Sequence, residues 1–385
     1  MSPPESADIA IVGAGLAGLR LASALRQRFP ALKVLLQGPD DRRQQRLSFW
    51  QPRGESSAED DVIDARWRHW RVVHRNRQIR HTGERYDYVS LDALQLKQRL
   101  GAQLATMGCV RRQSLLLALQ PVADRVLLHT GDGTVEAACV IDTRPPTPTA
   151  AALLQQFLGQ TLVSQHDHGL QEPVLMNFDV PAVEPSGVYF LYVLPLSSRR
   201  LLLEYTGFVR APQDTDALRD GLQQAIRQHY PDLYTAAVES EECGLIPMGP
   251  VVPQAQGKRI LPFGVAGGAA RTATGYAFCG ISRQIDGLLR QLALTGPGPG
   301  LLCPAAYSWR TRALDRVFLQ VLRAEPARMA DIIGSMASGL RGDDFAAFLS
   351  DSDGWWPALR TIWQVPKRPF LRAVAEQATL GRRHG

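Results

Sequence analysis

The hydrophobic pattern of the first forty residues changes period twice. Ile9-Ala10-Ile11-Val12 is a continuous apolar run of strand length, after which Leu19, Leu21 and Leu25 recur at helical spacing. Val34-Leu35-Leu36 then closes a β-α-β opening, and a polar, arginine-rich stretch runs to about Ser57. Residues 60–88 hold Trp67, Trp70 and alternating Val and Arg, which predicts strands of a separate sheet. Ser90 is expected to cap a helix carried by Leu91, Leu94, Leu96 and Leu100. Residues 125–128 and 135–141 flank Gly131-Asp132-Gly133 as the arms of a hairpin.

After Pro145-Pro146 the texture becomes β-rich. The runs at 189–195 and 200–205 are its clearest strands, and a helix is predicted over 216–229. A strand at 259–265 leads through Gly267-Gly268 into a helix from about Gly275 to Leu294, a second strand-glycine-helix unit that returns the chain to its first domain. Gly296-Pro297-Gly298-Pro299-Gly300 reads as a linker, with helices beyond it. The pattern therefore predicts an α/β chain. A Rossmann-like domain would comprise residues 1–57, 89–150 and 255–296, with a β-rich substrate domain from 58–88 and 151–254 inserted in it, and a helical region over 301–385.

The 385 residues, 45% of them hydrophobic, are enough for a sizeable core. The 43 basic and 37 acidic residues give a net charge of +6 but are scattered. That distribution argues against a nucleic-acid stripe and for an anionic cofactor or membrane face. The 5 cysteines are odd in number and far apart, which predicts reduced, buried thiols without a disulfide framework or a metal site. His166 and His168 lack further ligands at metal spacing. With neither a signal-like N-terminus nor an apolar run of spanning length, the chain reads as cytoplasmic.

The opening strand runs directly into Gly13-Ala14-Gly15-Leu16-Ala17-Gly18 and then a helix. In this motif Gly13 permits the tight turn, Gly15 lets a pyrophosphate approach the backbone, and Gly18 lets helix and strand pack closely. The free N–H groups of the helix start face the anion. The second strand ends in Gln37, where an acidic residue ordinarily holds a ribose; Gln37 can still hydrogen-bond one, with Arg42, Arg43 and Arg46 nearby. The second glycine unit, Gly268 with Thr274-Gly275-Tyr276, reads either as an ordinary turn or as the second half of a flavin site. In the latter case its helix would direct a positive end at the isoalloxazine ring. Two such turns around an inserted β-rich block favour FAD over a nicotinamide dehydrogenase.

The chain resembles the soluble flavin-dependent lycopene cyclases of bacteria and plants, within the wider group of flavoprotein monooxygenase-like folds. Besides the glycine turn, the likeness rests on Ser48-Phe49, Val140-Ile141-Asp142-x-Arg144 and Phe157-Leu158-Gly159-Gln160. It continues through Leu194-Pro195-Leu196-Ser197-x-x-Arg200-Leu201-Leu202-Leu203-Glu204-Tyr205-Thr206, Ile246-Pro247-Met248-Gly249 and Thr274-Gly275-Tyr276. The resemblance implies closure of the open ψ-ends of an apolar polyene to β-rings without net redox change, on reduced FAD with NAD(P)H as electron donor. A flavin monooxygenase, or a cyclase of another prenylated substrate, is the alternative. It also implies that Glu204 is the essential carboxylate, since a carboxyl in an apolar pocket can hold a proton near neutral pH. Strand alternation would equally leave Glu204 on a wet face. Two positions depart from the family: Tyr205 stands where many members are acidic, and Arg271-Thr272 where His-Pro is common. The first weakens any two-carboxylate mechanism, and the second sets a fixed cation beside a carbocation.

Near the end, Trp355, Trp356, Leu359, Ile362 and Trp363 recur at near-helical spacing among Arg360, Lys367, Arg368 and Arg372. This is the pattern of an interfacial helix on anionic lipid, or equally of tryptophans packed in the fold.

Overall fold

A computed structural model describes residues 5–146, 153–249, 257–351 and 356–381. Its first sheet has 7 strands, in the order β8 (Val110–Arg112), β2 (Val34–Asp40), β1 (Glu5–Ala14), β11 (Gly133–Asp142), β10 (Arg125–Thr130) and β9 (Leu116–Val122), with β17 (Ile260–Pro262) also on β11. The central pairings β8-β2-β1-β11 and β11-β17 are parallel. Both faces are covered, which is why β1 and β2 read as unbroken apolar runs. Ile9, Ile11 and Leu36 pack with α1 (Leu16–Arg28), α2 (Ala93–Thr106) and α4 (Phe278–Thr295), while Ala10, Val12 and Leu35 join Val126, Leu128 and Val140.

The second sheet also has 7 strands: β16 (Ala237–Met248), β12 (Leu153–Val163), β15 (Arg200–Val209), β14 (Val188–Pro195), β13 (Val174–Asn177), β5 (His69–His74) and β6 (Arg77–Thr82). Its outer face packs on α3 (Thr215–His229), capped by Asp214, whose buried stripe Leu218, Leu222, Ala225 and Ile226 meets Leu201, Leu203 and Tyr205. Its inner face meets the C-terminal helices α5 (Trp309–Ala324), α6 (Met329–Gly339), α7 (Gly342–Ser350), α8 (Trp356–Gln364) and α9 (Lys367–Gly381) through Leu202, Phe190, Phe208, Met336 and Phe345. A 3-stranded sheet, β3 (Arg46–Pro52), β7 (Tyr86–Asp92) and β4 (Ile63–Trp67), links the two.

Four sequence expectations change here. Residues 60–88 do not form one separate sheet: β5 and β6 extend the second sheet, whereas β4 and β7 pair with β3, itself inside the stretch read as polar. The cap of α2 is Asp92, which accepts from the backbone of Leu94 and Gln95, because Ser90 and Leu91 are still paired in β7. The strand expected over 259–265 shortens to β17, since Gly264–Gly267 turns into a 3-10 helix, and α4 starts only at Phe278. The cysteines are free thiols of mixed exposure: Cys139 is buried, but Cys243 is exposed because alternation turns it away from the face shared by Glu242 and Gly244. Among the described residues no helix is long and apolar enough to cross a membrane, and no group of 3 potential ligands could hold a metal.

Candidate active site

The first glycine turn has the geometry of an anion cradle. Gly13 has φ +106°, and a Cβ on Gly18 would lie 1.9 Å from the Gly13 carbonyl oxygen, so both positions need glycine. The start of α1 at Gly15 has no side-chain cap and no acidic residue in its first turn, which leaves its N–H groups and positive end for an anion. Thr143 braces the turn from β11 by donating to the carbonyls of Val12 (2.9 Å) and Gly13 (3.1 Å). Gln37 is fully buried; its amide donates to the carbonyl and hydroxyl of Ser114, and its Oε1 has no protein partner. The carboxylate beside the turn is Asp41, whose Oδ2 lies 4.0 Å from where a Cβ on Gly15 would stand. Hydrogen bonds from Arg43 and the charge of Lys97 hold Asp41 at about 2, against the cost of burial.

Tertiary packing brings the second glycine unit to the first. A Cβ on Gly264 would lie 2.9 Å from that of Ala17, and Arg20 of α1 reaches the Phe278 carbonyl (3.2 Å) and Ser282 (2.9 Å) of α4. Gly268 is a left-handed cap of the 3-10 turn, and Gly275 has φ +74°. The uncapped start of α4, at Ala277 and Phe278, opens into a cavity of about 960 Å³. That cavity is continuous from Leu16 in the first turn, past Thr274, Gly275 and Tyr276, to Glu204. The two glycine turns and the uncapped helix starts fit a dinucleotide flavin, whereas Gln37, fully buried and bound to Ser114, does not line the cavity, contrary to the expectation that it would hold a ribose.

Four strands of the second sheet supply the far wall. One row across them reads Glu242, Gly159, Glu204 and Tyr192, in the order β16, β12, β15, β14. Leu202, Glu204 and Phe208 line the cavity while Leu201, Leu203 and Tyr205 face α3, so the strand has no wet side. Burial lifts the Glu204 carboxyl from 4.5 to about 7, opposed by the Thr206 hydroxyl, which donates to Oε1 at 2.7 Å. Tyr205 occupies the opposite face, stacked on Tyr189 with ring centroids 5.1 Å apart, so an acid at that position would not reach the cavity. The second carboxyl comes instead from Glu242, pushed up to about 8 by burial and by the neighbouring Glu204 charge. The expectation that Tyr205 weakens a two-carboxylate site is therefore corrected.

Aromatic side chains surround this row. Tyr88 and Tyr192 hydroxyls meet at 2.8 Å, Tyr276 bonds to Tyr88, and burial raises the Tyr88 and Tyr192 phenols, keeping them neutral donors. Trp50 packs on Tyr88 at 4.8 Å, and Phe157, Phe190, Phe208 and Phe318 complete an apolar wall whose ring faces can stabilise a cation. Arg271 borders the cavity without carrying an unbalanced charge. It pairs with Asp315 of α5 at 3.1 Å, both side chains buried, and bonds to the Phe348 carbonyl, while Thr272 also donates to Asp315. The expected fixed cation beside the reacting centre is thus neutralised by a residue far along the chain.

The C-terminal end of the cavity is lined by Ile362, Val365, Phe370, Leu371 and Val374. Trp356 and Trp363 are 62% and 77% exposed, so packing inside the fold is excluded for them; Trp355 lies outside the described residues. Asp41, Asp315, Tyr88, Tyr192 and Glu242 were not singled out by sequence reasoning. For Glu242 a signal existed: counting back by two from Ile246 in the Ile-Pro-Met-Gly motif passes Gly244 and arrives at Glu242 on the same strand face.

This combination of a glycine-turn parallel sheet, a second, mostly antiparallel sheet and a cavity between them is the fold of the FAD-dependent flavoproteins. Similar solved structures include a geranylgeranyl bacteriochlorophyll reductase-like protein of Thermoplasma acidophilum (TM-score 0.61, 15% identity, 97% of each chain). The flavin-dependent brominase Bmp2 is a second (TM-score 0.58, 12% identity, 97% of this chain and 99% of that one). Within that class the chain belongs to the lycopene cyclase family, whose profile, described as lycopene cyclase protein, matches residues 8–350. Curated relatives include the lycopene beta-cyclase of Pseudescherichia vulneris, 32% identical over 265 residues, covering 63% of this chain and 61% of that protein. The lycopene beta-cyclase of Paracoccus sp. is 29% identical over 294 residues, with 70% of each covered. The matched part thus spans about three-fifths of the first of these relatives.

Proposed function

We propose that this chain binds FAD between its two glycine turns and converts the open ψ-ends of an apolar polyene, lycopene or a close relative, to β-rings without net redox change. The observation that carries this reading is the Glu204 carboxyl, raised to about 7, facing an apolar aromatic cavity continuous with the first glycine turn. Gly13 to Gly18 would hold the pyrophosphate, Asp41 the ribose, and Thr274 to Tyr276 the ring. When bound and reduced, with NAD(P)H as the electron source, the flavin supplies electron density that favours a nearby cation. Glu204 holds the proton that adds to the terminal double bond, and Thr206 fixes its orientation. Leu202, Phe190, Phe208 and Trp50 exclude water that would otherwise capture the cation, and their faces offset its charge. The Arg271–Asp315 pair keeps that wall electrically neutral.

The substrate entrance is read at α8 and α9, where the cavity's apolar end adjoins Trp356, Trp363 and Leu371 with Lys367, Arg368 and Arg372. This is the composition of a peripheral contact with anionic membrane. The test is product analysis from lycopene-accumulating cells expressing the chain, together with NAD(P)H consumption by the purified protein. Ring-closed products with only catalytic consumption support the cyclase. Stoichiometric consumption with an oxygenated product would replace it by a monooxygenase.

A further inference from the structure

Glu242 occupies a place that the proposed acid chemistry of Glu204 leaves unused. It lines the apolar cavity on one side and, on the other, a polar cleft of about 240 Å³ formed with Gln44, Asp92, Arg200, Glu239 and Glu241. The two spaces share three residues, Gln45, Arg46 and Glu242. An amide and a guanidinium do not exchange protons near neutral pH, so Glu242 is the one of the three that can. Between it and Glu204 stands only Gly159, paired with both. Adjacent strands lie about 4.8 Å apart, so the two backbones are separated by roughly 10 Å, with no side chain on the intervening residue and Leu202 Cδ1 beside it, 3.3 Å from where its Cβ would stand. A Cβ on Gly159 would meet Glu204 Cβ and Cγ at 3.4 Å, which shows the Glu204 side chain lying over the glycine.

We propose that Glu242 is the proton relay of this site, passing a proton from the polar cleft across Gly159 to Glu204. The inference rests on the reading of Glu204 as the acid. Glu204 gives its proton to a terminal double-bond carbon and becomes a carboxylate; the protonated Glu242 carboxyl then hands over its own proton. Glu242 is recharged from water in the cleft, and the ring-closed cation sheds one proton to water, so protons balance and no electrons move. The surroundings match this role. The Arg46 backbone N–H donates to Glu242, and the charges facing it are Glu204, Arg46 and Asp92. Of the other cleft carboxylates, Glu239 is held by Arg200 at 2.5 Å, Glu241 by Arg219 at 2.7 Å, and Asp92 by the backbone N–H groups of the α2 start that it caps. Glu242 at about 8 and Glu204 at about 7 lie close enough to exchange a proton readily.

The test separates the first turnover from later ones in purified, reduced holoenzyme given lycopene in vesicles. In Glu242→Gln, with enzyme in excess, the first turnover should lose much less rate than later turnovers, because Glu204 carries its proton at the start. Its multiple-turnover rate should fall by about 10²-fold, the scale of a lost acid-base group. Glu242→Asp, which keeps a transferable proton, should recover part of that loss. Protein equilibrated in H₂O and diluted into D₂O should give first-turnover product with protium in Glu242→Gln and with deuterium in the parent. Without flavin, infrared difference spectra should show one protonated carboxyl band fewer in the variant. Unchanged multiple turnover, or equal loss in first and later turnovers, overturns the relay. Absence of ring closure in the parent protein overturns the reading of the site itself.

Discussion

Replacing Glu204 by Gln should make the protein inactive and, above neutral pH, more stable. The carboxyl is held near 7 in the fold against an ordinary 4.5, mainly by burial. Between those two values the folded state binds a proton that the unfolded chain releases, so the wild-type protein loses stability as pH rises through that window. Each unit corresponds to about 1.4 kcal/mol, giving about 3.5 kcal/mol for the full displacement. Glu204 is partly rather than fully buried, and screening reduces the expected gain to about 1–3 kcal/mol. Gln retains the shape and the acceptor for Thr206 but has no proton to lose. Paired urea unfolding curves of parent and variant, followed by tryptophan fluorescence from pH 4 to pH 8 without added flavin, should diverge progressively and level off above about 7. Cyclisation should fall by roughly 10²-fold or more in the same variant. A stability difference that stays constant across the range would refute the burial argument, and turnover within a few-fold of the parent would remove Glu204 from the chemistry.

Three further outcomes follow from named contacts. Gly15→Val should abolish FAD binding, measured by flavin content after purification, because the side chain would project toward Asp41 across the uncapped start of α1. Asp315→Ala should cost about 3–5 kcal/mol in denaturant unfolding, since it leaves Arg271 buried without its counter-charge, and Arg271→Met with Asp315→Leu should recover most of that loss. Replacing Trp356 and Trp363 by Ala should weaken salt-sensitive binding to anionic liposomes with flavin content and melting temperature unchanged, as both are largely exposed; a drop in melting temperature would make them packing residues.

Elements whose signal is local could be read from the residues alone. The apolar run from Ile9 into the glycine turn, the hairpin around Gly131-Asp132-Gly133 and the helix from Thr215 are all set by period, turn chemistry and capping within a few residues. Glu204 reads as the candidate acid from the motif around it, although its strand alone permits a wet face. Which face that is follows from packing, because it depends on α3 covering Leu201, Leu203 and Tyr205 and so leaving Leu202 and Glu204 to the cavity. The same holds for the partners of the site. Glu242 stands opposite Gly159 through strand register, and Asp315 neutralises Arg271 from a helix 44 residues away. Long-range register and charge pairing are collective outcomes of packing, so no local window of the chain contains them.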